Sequence, residues 1–157
     1  MCIRDSLRSI GEKIGKVGKT SGIIPFIKVM DSLTLAISQG SLRRGSAACY
    51  LQIDHPEIEE FIEMRRPTGG DVNRRSLNLH HGVLVTDEFM RAVETGEQWA
   101  LRSPYDGTVQ STIPARNLWI RLLTARIETG EPYIVFIDTV NRPVSYTHLT
   151  LPTKLEV

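Results

Sequence analysis

The sequence has few cysteines and no long apolar run, and these absences remove several classes of protein. It holds 2 cysteines among 157 residues, Cys2 and Cys49, and their spacing is typical of neither a disulfide scaffold nor a metal knuckle. No stretch approaches the roughly 18–20 apolar residues that a membrane span needs. The formal net charge is +1, so no overall field favours nucleic acid or a membrane surface. A reduced, cytoplasmic protein without a metal site is expected.

The two ends of the sequence differ in character from the part between them. Residues 1–6 are too short and too polar for a secretory signal, and residues 143–157 follow the preceding segment abruptly. Both ends resemble adapter read-through at the edges of assembled sequence fragments, and a real disordered tail is the alternative. We interpret 1–6 and 143–157 as non-native, which leaves residues 7–142 as one partial domain.

Helical and strand-like patterns alternate between residues 24 and 137. A helix is predicted over 24–38, because apolar residues recur there at helical spacing, with Pro25 in its first turn. The residues expected on its inner face are Phe26, Ile27, Met30, Leu33 and Ile37. Further helices are predicted from Pro56, from Thr86 to Gly96, and over 114–129, where Leu118, Leu122 and Ile127 are expected to be buried.

Strands are predicted between these helices, over 47–53, 82–85, 99–101 and 133–137. The last run is apolar throughout, as in a strand that is buried on both faces. This alternation predicts an α/β fold with a largely parallel sheet.

A basic, glycine-rich segment precedes the helix predicted at 24–38. Residues 8–22 place Arg8, Lys13, Lys16 and Lys19 among four glycines, which indicates a mobile loop that could surround a phosphate. The glycine spacing does not match a Walker A loop. On spacing alone a flexible, solvated loop is favoured, and a phosphate-binding loop is the alternative.

A second basic segment, 38–46, follows the same helix. It contains Gln39 and places Arg43 and Arg44 between two glycines. Arginine offers a planar fork of donors that suits phosphates and base edges, and an amide both donates and accepts. On spacing alone, a solvated turn at a helix C-terminus is favoured, and a nucleotide-binding loop is the alternative.

Other polar residues are assigned structural roles. His80 and His81 are adjacent in a predicted strand and so point to opposite sides, which makes a shared metal site unfavourable. Glu57 and its acidic neighbours begin a predicted helix, where they complement the helix dipole. Cys49 is interpreted as a buried, inert thiol.

Three long stretches resemble the large subunit of class I ribonucleoside-diphosphate reductases. They are residues 7–71 (LRSIGEKIGKVGKTSGIIPFIKVMDSLTLAISQGSLRRGSAACYLQIDHPEIEEFIEMRRPTGGD), 73–83 (NRRSLNLHHGV) and 126–142 (RIETGEPYIVFIDTVNR). The resemblance implies a fragment of the ten-stranded α/β barrel found in ribonucleotide reductases and related glycyl-radical enzymes, taken from a protein several times longer.

The resemblance also implies a specificity site that binds ATP or a deoxynucleoside triphosphate at a dimer interface. Segments 8–22 and 38–46 match the two specificity loops, and helix 24–38 helps to form the homodimer. Within them Arg8 matches a residue that contacts effector phosphate, while Gln39 and Arg43 match residues that read the effector and contact the substrate. The effector-binding residues expected are Arg8, Lys13, Lys16, Gln39, Gly40, Ser41, Arg43 and Arg44.

For the full enzyme, the resemblance implies reduction of ribonucleoside diphosphates to deoxyribonucleotides by thiyl-radical chemistry. A separate metal-containing small subunit supplies the radical, and thioredoxin or glutaredoxin supplies electrons. No residue of this chain matches the family's catalytic cysteines, so no catalytic residue or resident cofactor is predicted, and the chain alone is expected to be inactive.

Three alternatives remain open at this stage. One is a fragment of an adenosylcobalamin-dependent reductase, and another is a nucleotide-binding module without chemistry. The third is a nucleic-acid-binding module, against which the near-zero net charge counts; it would use Arg43, Arg44, Arg65, Arg66, Arg74 and Arg75.

Overall fold

The computed structural model of the chain describes residues 8–14, 18–37, 45–66 and 71–142. Helices and strands alternate along much of this length, as predicted. The strands are β1 (Lys13–Ile14), β2 (Gly18–Lys19), β3 (Ala48–Gln52), β4 (His80–Val85), β5 (Gln98–Arg102), β6 (Val109–Pro114) and β7 (Tyr133–Phe136). The helices are α1 (Ile24–Ala36), α2 (Ile58–Glu63), α3 (Asp87–Thr95), α4 (Ala115–Thr129) and α5 (Ile137–Asn141), with a 3₁₀ turn at Val72–Arg74. Among the helices in these ranges, none is long and apolar enough to cross a membrane.

A three-stranded parallel sheet in the order β3-β4-β7 organises the fold. One face of the sheet packs on α2 and α4, where Phe61, Ile62, Val83, Leu118 and Leu122 are at most 2% exposed. Burying each large aliphatic or aromatic side chain of this kind stabilises the fold by about 2 kcal/mol. The parallel sheet and its covering helices confirm the predicted α/β class.

The opposite face of this sheet is open in the described part of the chain. Tyr50, Gly82 and Tyr133 lie side by side across the three strands, and the two tyrosines are exposed. A Cβ atom on Gly82 would lie 2.4 Å from the Tyr50 ring, so the absence of a side chain at Gly82 allows the ring to lie against the strand.

Strand β7 and helix α4 are less buried than predicted. Tyr133 and Phe136 are each 42% exposed because β7 pairs with β4 alone and forms an edge of the described sheet. The expectation that this run is buried on both faces is therefore wrong for this chain. Ile127 is also wrongly placed in the core, since it is 86% exposed near the end of α4.

Strand β6 was not predicted, and it pairs with β5 in an antiparallel hairpin. Nearly all of its side chains are exposed, so burial imposes no alternating pattern that the sequence could reveal.

Segment 8–22 likewise contains more regular structure than the predicted loop. There β1 and β2 form a two-stranded antiparallel ladder that pairs Lys13 with Lys19 and Ile14 with Gly18.

Helix α1 occupies its predicted position but presents an unexpected face to the core. Its buried residues are Ile24, Ile27, Asp31 and Thr34. Four of the five residues expected to face inward are instead exposed by 44–57%: Phe26, Met30, Leu33 and Ile37. Only Ile27 follows the prediction, so the apolar stripe of α1 lies on the outside of the described chain.

A buried carboxylate lies on the inward face of α1, together with Ile24, Ile27 and Thr34. Asp31 is 1% exposed and accepts hydrogen bonds from the backbone N–H groups of Asn78 (2.7 Å) and Leu79 (3.2 Å) and from Ser76 Oγ (3.0 Å). Burial alone would raise the pKa of Asp31, but these hydrogen bonds and Lys28 lower it overall. Asp31 thus fastens α1 to the segment that enters β4.

Because two histidines are buried, we expect the free energy of unfolding to fall in mild acid. Burial lowers the pKa of His55 to about 4, although Glu12 opposes the shift, and burial also lowers the pKa of His81. Because an unfolded histidine binds a proton near pH 6.5, the unfolded state binds more protons between about pH 6.5 and 4, and stability falls as pH falls through that window. For His55 the difference corresponds to about 3 kcal/mol.

We expect replacement of His55 by glutamine to flatten this pH dependence. The check is the thermal midpoint measured at several pH values from about 7 to about 4, for the unsubstituted protein and His55→Gln. Identical slopes for the two proteins would show that His55 does not contribute.

Candidate functional site

Arg8 and the β1–β2 ladder form a basic surface ahead of α1. Arg8 donates to the backbone carbonyl of Lys13, and its guanidinium carbon lies 3.8 Å from the centre of the Tyr105 ring. Lys13 and Lys19 are paired across the ladder, and both are exposed. Like charges directly opposite each other repel, and a polyanion lying over them would relieve that repulsion. The surface therefore suits phosphate.

The side chains of Ser9, Glu12 and Gln110 connect the segment that carries this basic surface to β6. Ser9 is fully buried, and its hydroxyl donates to Glu12 Oε1 at 2.6 Å. Gln110 Nε2, from β6, lies 2.7 Å from both Ser9 Oγ and Glu12 Oε1. The two hydrogen bonds of Gln110 join residues about 100 positions apart, so the shape of the first segment depends on the β5–β6 hairpin.

Glu57 fixes both ends of the first segment, residues 8–22. Its carboxylate is buried and accepts from the backbone N–H of Ile10 at 3.2 Å and of Ile23 at 3.1 Å. The interaction satisfies an N–H group at the start of α1. Burial raises the pKa of Glu57, although the two N–H groups partly counteract it.

The close fit at Glu57 also restricts its neighbour Gly22. Gly22 has a φ of +85°, and a Cβ atom there would lie 2.2 Å from Glu57 Oε1. Glu57 is the N-cap residue of α2, but its carboxylate makes no cap hydrogen bond to that helix. The nearby Glu59 and Glu60 do lie at the surface, where they pair with Arg121 and Arg74.

The second segment, residues 38–46, is described only at its last two residues, Gly45 and Ser46. Lys16, Gln39, Gly40, Ser41, Arg43 and Arg44 lie outside the described residues, so their placement remains a prediction. The flanking residues Ile37 and Gly45 lie against each other. A Cβ atom on Gly45 would be 2.6 Å from Ile37 Cγ1 and 2.8 Å from the Thr34 carbonyl oxygen. The chain therefore leaves α1 at Ile37 and returns to it at Gly45.

The two segments flank opposite ends of α1. The helix has 13 residues and is therefore about 20 Å long. The first segment is fastened beside its N-terminus by Glu57, whereas Gly45 packs against its last turn. Of the predicted effector-binding residues, the described part of the chain brings together only Arg8 and Lys13, and it does not join them to the second segment.

Comparison with known proteins identifies the family. The family model described as "Ribonucleotide reductase, barrel domain" matches residues 3–150. The chain belongs to this ribonucleotide reductase family. The match confirms both the resemblance and the barrel-fragment fold class drawn from the sequence.

Relatives of this reductase segment include large subunits from viruses and animals. The chain is 56% identical over 128 residues to a putative ribonucleoside-diphosphate reductase large subunit of Frog virus 3, covering 82% of this chain and 22% of that protein. It is 45% identical over 131 residues to the ribonucleoside-diphosphate reductase large subunit of Invertebrate iridescent virus 6, covering 79% of this chain and 14% of that protein. The identity to the large subunit of Caenorhabditis elegans is 30% over 167 residues, covering 91% of this chain and 21% of that protein. The chain thus spans about a fifth of the length of such relatives.

His80, His81 and Cys49 lie in neighbouring strands of the reductase segment. His80 Nδ1 lies 2.7 Å from Glu131 Oε1, and the backbone N–H of His81 donates to Glu131 Oε2 at 3.1 Å. His80 thus bonds to Glu131 through its ring, and His81 through its backbone N–H. Burial raises the pKa of the half-buried Cys49 thiol, which disfavours the nucleophilic thiolate. Within the described ranges no three His, Cys, Asp or Glu side chains are grouped to hold a metal ion.

Three of the described arginines of the nucleic-acid alternative pair with carboxylates. Arg65 lies 3.7 Å from Glu131, Arg66 lies 2.9 Å from Glu128, and Arg74 pairs with Glu60. Their charges are therefore partly neutralised, which counts against a basic nucleic-acid surface built on them.

Proposed function

We propose that this chain is the part of a ribonucleoside-diphosphate reductase large subunit that binds a regulatory nucleotide. The whole subunit would reduce ribonucleoside diphosphates to deoxyribonucleotides for DNA synthesis, with a radical from a metal-containing small subunit and electrons from thioredoxin or glutaredoxin. Family membership and the names of the relatives support this proposal. The chain alone would not reduce substrate, because none of its residues matches the reacting cysteines.

The observation that carries the effector-binding role is the basic surface formed by Arg8, Lys13 and Lys19. Lys13 and Lys19 are paired across a two-residue ladder, and Arg8 is bound to the carbonyl of Lys13. An ATP or deoxynucleoside triphosphate offers several negative charges over a short distance. Its phosphates would accept charge-assisted hydrogen bonds from these side chains.

A second copy of the chain would complete the site. The exposed stripe of α1, formed by Phe26, Met30, Leu33 and Ile37, would be buried in a symmetric homodimer, where both copies use the same patch. A two-fold axis perpendicular to α1 makes the two helices antiparallel. The first segment of one copy then lies beside the second segment of the other, which resolves the separation of the segments within one chain.

The proposed regulation couples two sites through the second segment. Gln39 and Arg43 would contact the effector base and bias residues 38–46 toward one arrangement, which favours one substrate base over another. Coupling free energies of this kind are typically about 1–3 kcal/mol. A short segment that starts and ends at neighbouring points on α1 is suited to adopting two arrangements.

Substitution of Arg8 tests effector binding directly. In the full-length subunit that carries this segment, Arg8→Ala should weaken binding of each deoxynucleoside triphosphate by about 10- to 100-fold, because a hydrogen bond to a charged group is lost. Isothermal titration gives the dissociation constants. Arg116→Ala is the matched control, since Arg116 is exposed on α4 and donates to the Glu94 carbonyl. Equal affinities for Arg8→Ala and Arg116→Ala would contradict the proposal.

A further inference from the structure

An exposed aromatic ring from the β5–β6 turn lies against the side chain of Arg8. Tyr105 is 63% exposed, yet one face of its ring is covered by the Arg8 guanidinium, 3.8 Å from the ring centre. Arg8 precedes β1, and Tyr105 lies between β5 and β6, so the contact joins distant parts of the sequence. A cation over an aromatic face is attracted by the ring quadrupole, which favours this orientation of Arg8.

Among the described residues, the stacked arrangement leaves donors of Arg8 available to a ligand. A guanidinium has five N–H donors that all point outward in its own plane. One terminal nitrogen donates to the Lys13 carbonyl, whereas stacking on Tyr105 uses the face and consumes no donor. The ring and the carbonyl therefore set the plane of the guanidinium while other N–H groups remain available for a phosphate fork.

The turn that carries Tyr105 is held in place by its own hydrogen bonds. Ser103 N–H donates to the Thr108 carbonyl at 2.8 Å, and Tyr105 N–H donates to Ser103 Oγ at 3.2 Å. Asp106 accepts from both the N–H (3.1 Å) and the hydroxyl (2.7 Å) of Thr108. Beyond the turn, Gln110 fastens β6 to the first segment. Tyr105 is therefore presented to Arg8 from a well-supported position.

We propose that Tyr105 is a positioning residue of the effector site, which holds the Arg8 guanidinium in the orientation that binds phosphate. This inference rests on the proposed function of the basic surface. All nucleoside triphosphates share the same phosphates, so Tyr105 contributes to the affinity for each of them by the same factor. It does not contribute to the choice among bases, which belongs to the second segment.

The experiment compares Tyr105→Leu with Tyr105→Phe in the full-length subunit. Tyr105→Leu removes the ring and should weaken binding of dATP, dGTP and dTTP by about three- to fivefold each, in line with an exposed cation–π contact. Tyr105→Phe keeps the ring and should retain the affinity of the unsubstituted protein. The substrate favoured by each effector should be unchanged in both variants. Tyr105→Gln is a second, more soluble replacement that also lacks the ring.

A double-substitution cycle distinguishes this inference from the function on which it rests. If Tyr105 acts through Arg8, adding Tyr105→Leu to Arg8→Ala should produce no further loss of affinity. The positioning role would be overturned if the affinity losses of Arg8→Ala and Tyr105→Leu multiplied in the double variant. It would also be overturned if Tyr105→Phe lost as much affinity as Tyr105→Leu, or if both variants without the ring kept normal affinity. Unchanged affinity in Arg8→Ala itself would overturn the effector-binding function as well.

Discussion

Replacing Asp31 with alanine is expected to lower the local free energy of unfolding around α1 and β4 by about 3–5 kcal/mol. The substitution leaves the N–H groups of Asn78 and Leu79 and the hydroxyl of Ser76 without their acceptor in a buried position. Each buried donor that loses its acceptor costs about 1–3 kcal/mol. Hydrogen exchange resolves such local effects, and amides 76–80 should exchange at least about 100-fold faster in Asp31→Ala.

Two further variants separate the loss of acceptors from a general effect of removing a carboxylate. Asp31→Asn retains one oxygen, which can still serve the three donors that bond to Oδ1, so its effect should be much smaller. Asp106→Ala removes an exposed carboxylate that bonds only within its own turn, mainly to Thr108, and should leave exchange at 76–80 unchanged. Equal exchange rates in Asp31→Ala and Asp106→Ala would refute the anchoring role of Asp31.

Introducing glutamate at Leu33 is expected to abolish the homodimer at micromolar concentration. Leu33 is 52% exposed near the middle of the apolar stripe of α1, so in the proposed dimer its side chain would be buried against the partner. An unpaired buried carboxylate costs several kcal/mol, which predicts a rise of at least about 100-fold in the dimer dissociation constant. Sedimentation equilibrium of the full-length subunit measures this constant directly.

Ser32 provides the matched control for Leu33. It is the adjacent residue of the same helix and is exposed, but it lies about 100° away around the helix axis, outside the stripe. Ser32→Glu should therefore leave dimerisation and effector affinity unchanged. Leu33→Glu should also weaken effector binding, because each site takes one segment from each copy. A dimer of normal strength in Leu33→Glu would exclude α1 as the interface.

Local patterns predicted the elements whose positions depend on nearby residues. Thr86 caps α3 through a hydrogen bond from Phe89 N–H at 3.2 Å, and Gly96 ends it with a positive φ, both as expected. The buried positions of α2, such as Phe61, also follow from spacing alone. Capping and helical periodicity act over a few residues, so the sequence carries them directly.

The candidate site depended much more on contacts between distant residues. No local pattern distinguishes Glu57, which bonds to Ile10 and Ile23, from the solvated Glu59 beside it. Tyr105 and Gln110 gave no signal because their partners lie about 100 residues earlier. Helical spacing showed that α1 has an apolar stripe, but the partner of that stripe cannot be read from α1 alone.

By itself the sequence determined the family, the alternation of helices and strands, and the basic character of segments 8–22 and 38–46. Tertiary structure alone decided that the face of α1 with Asp31 is turned inward and that Glu57 and Tyr105 hold the first segment in place. The physical reason is that a local pattern records the preferences of a segment. Which face is buried, and which carboxylate satisfies a distant N–H group, follow only when remote segments pack together.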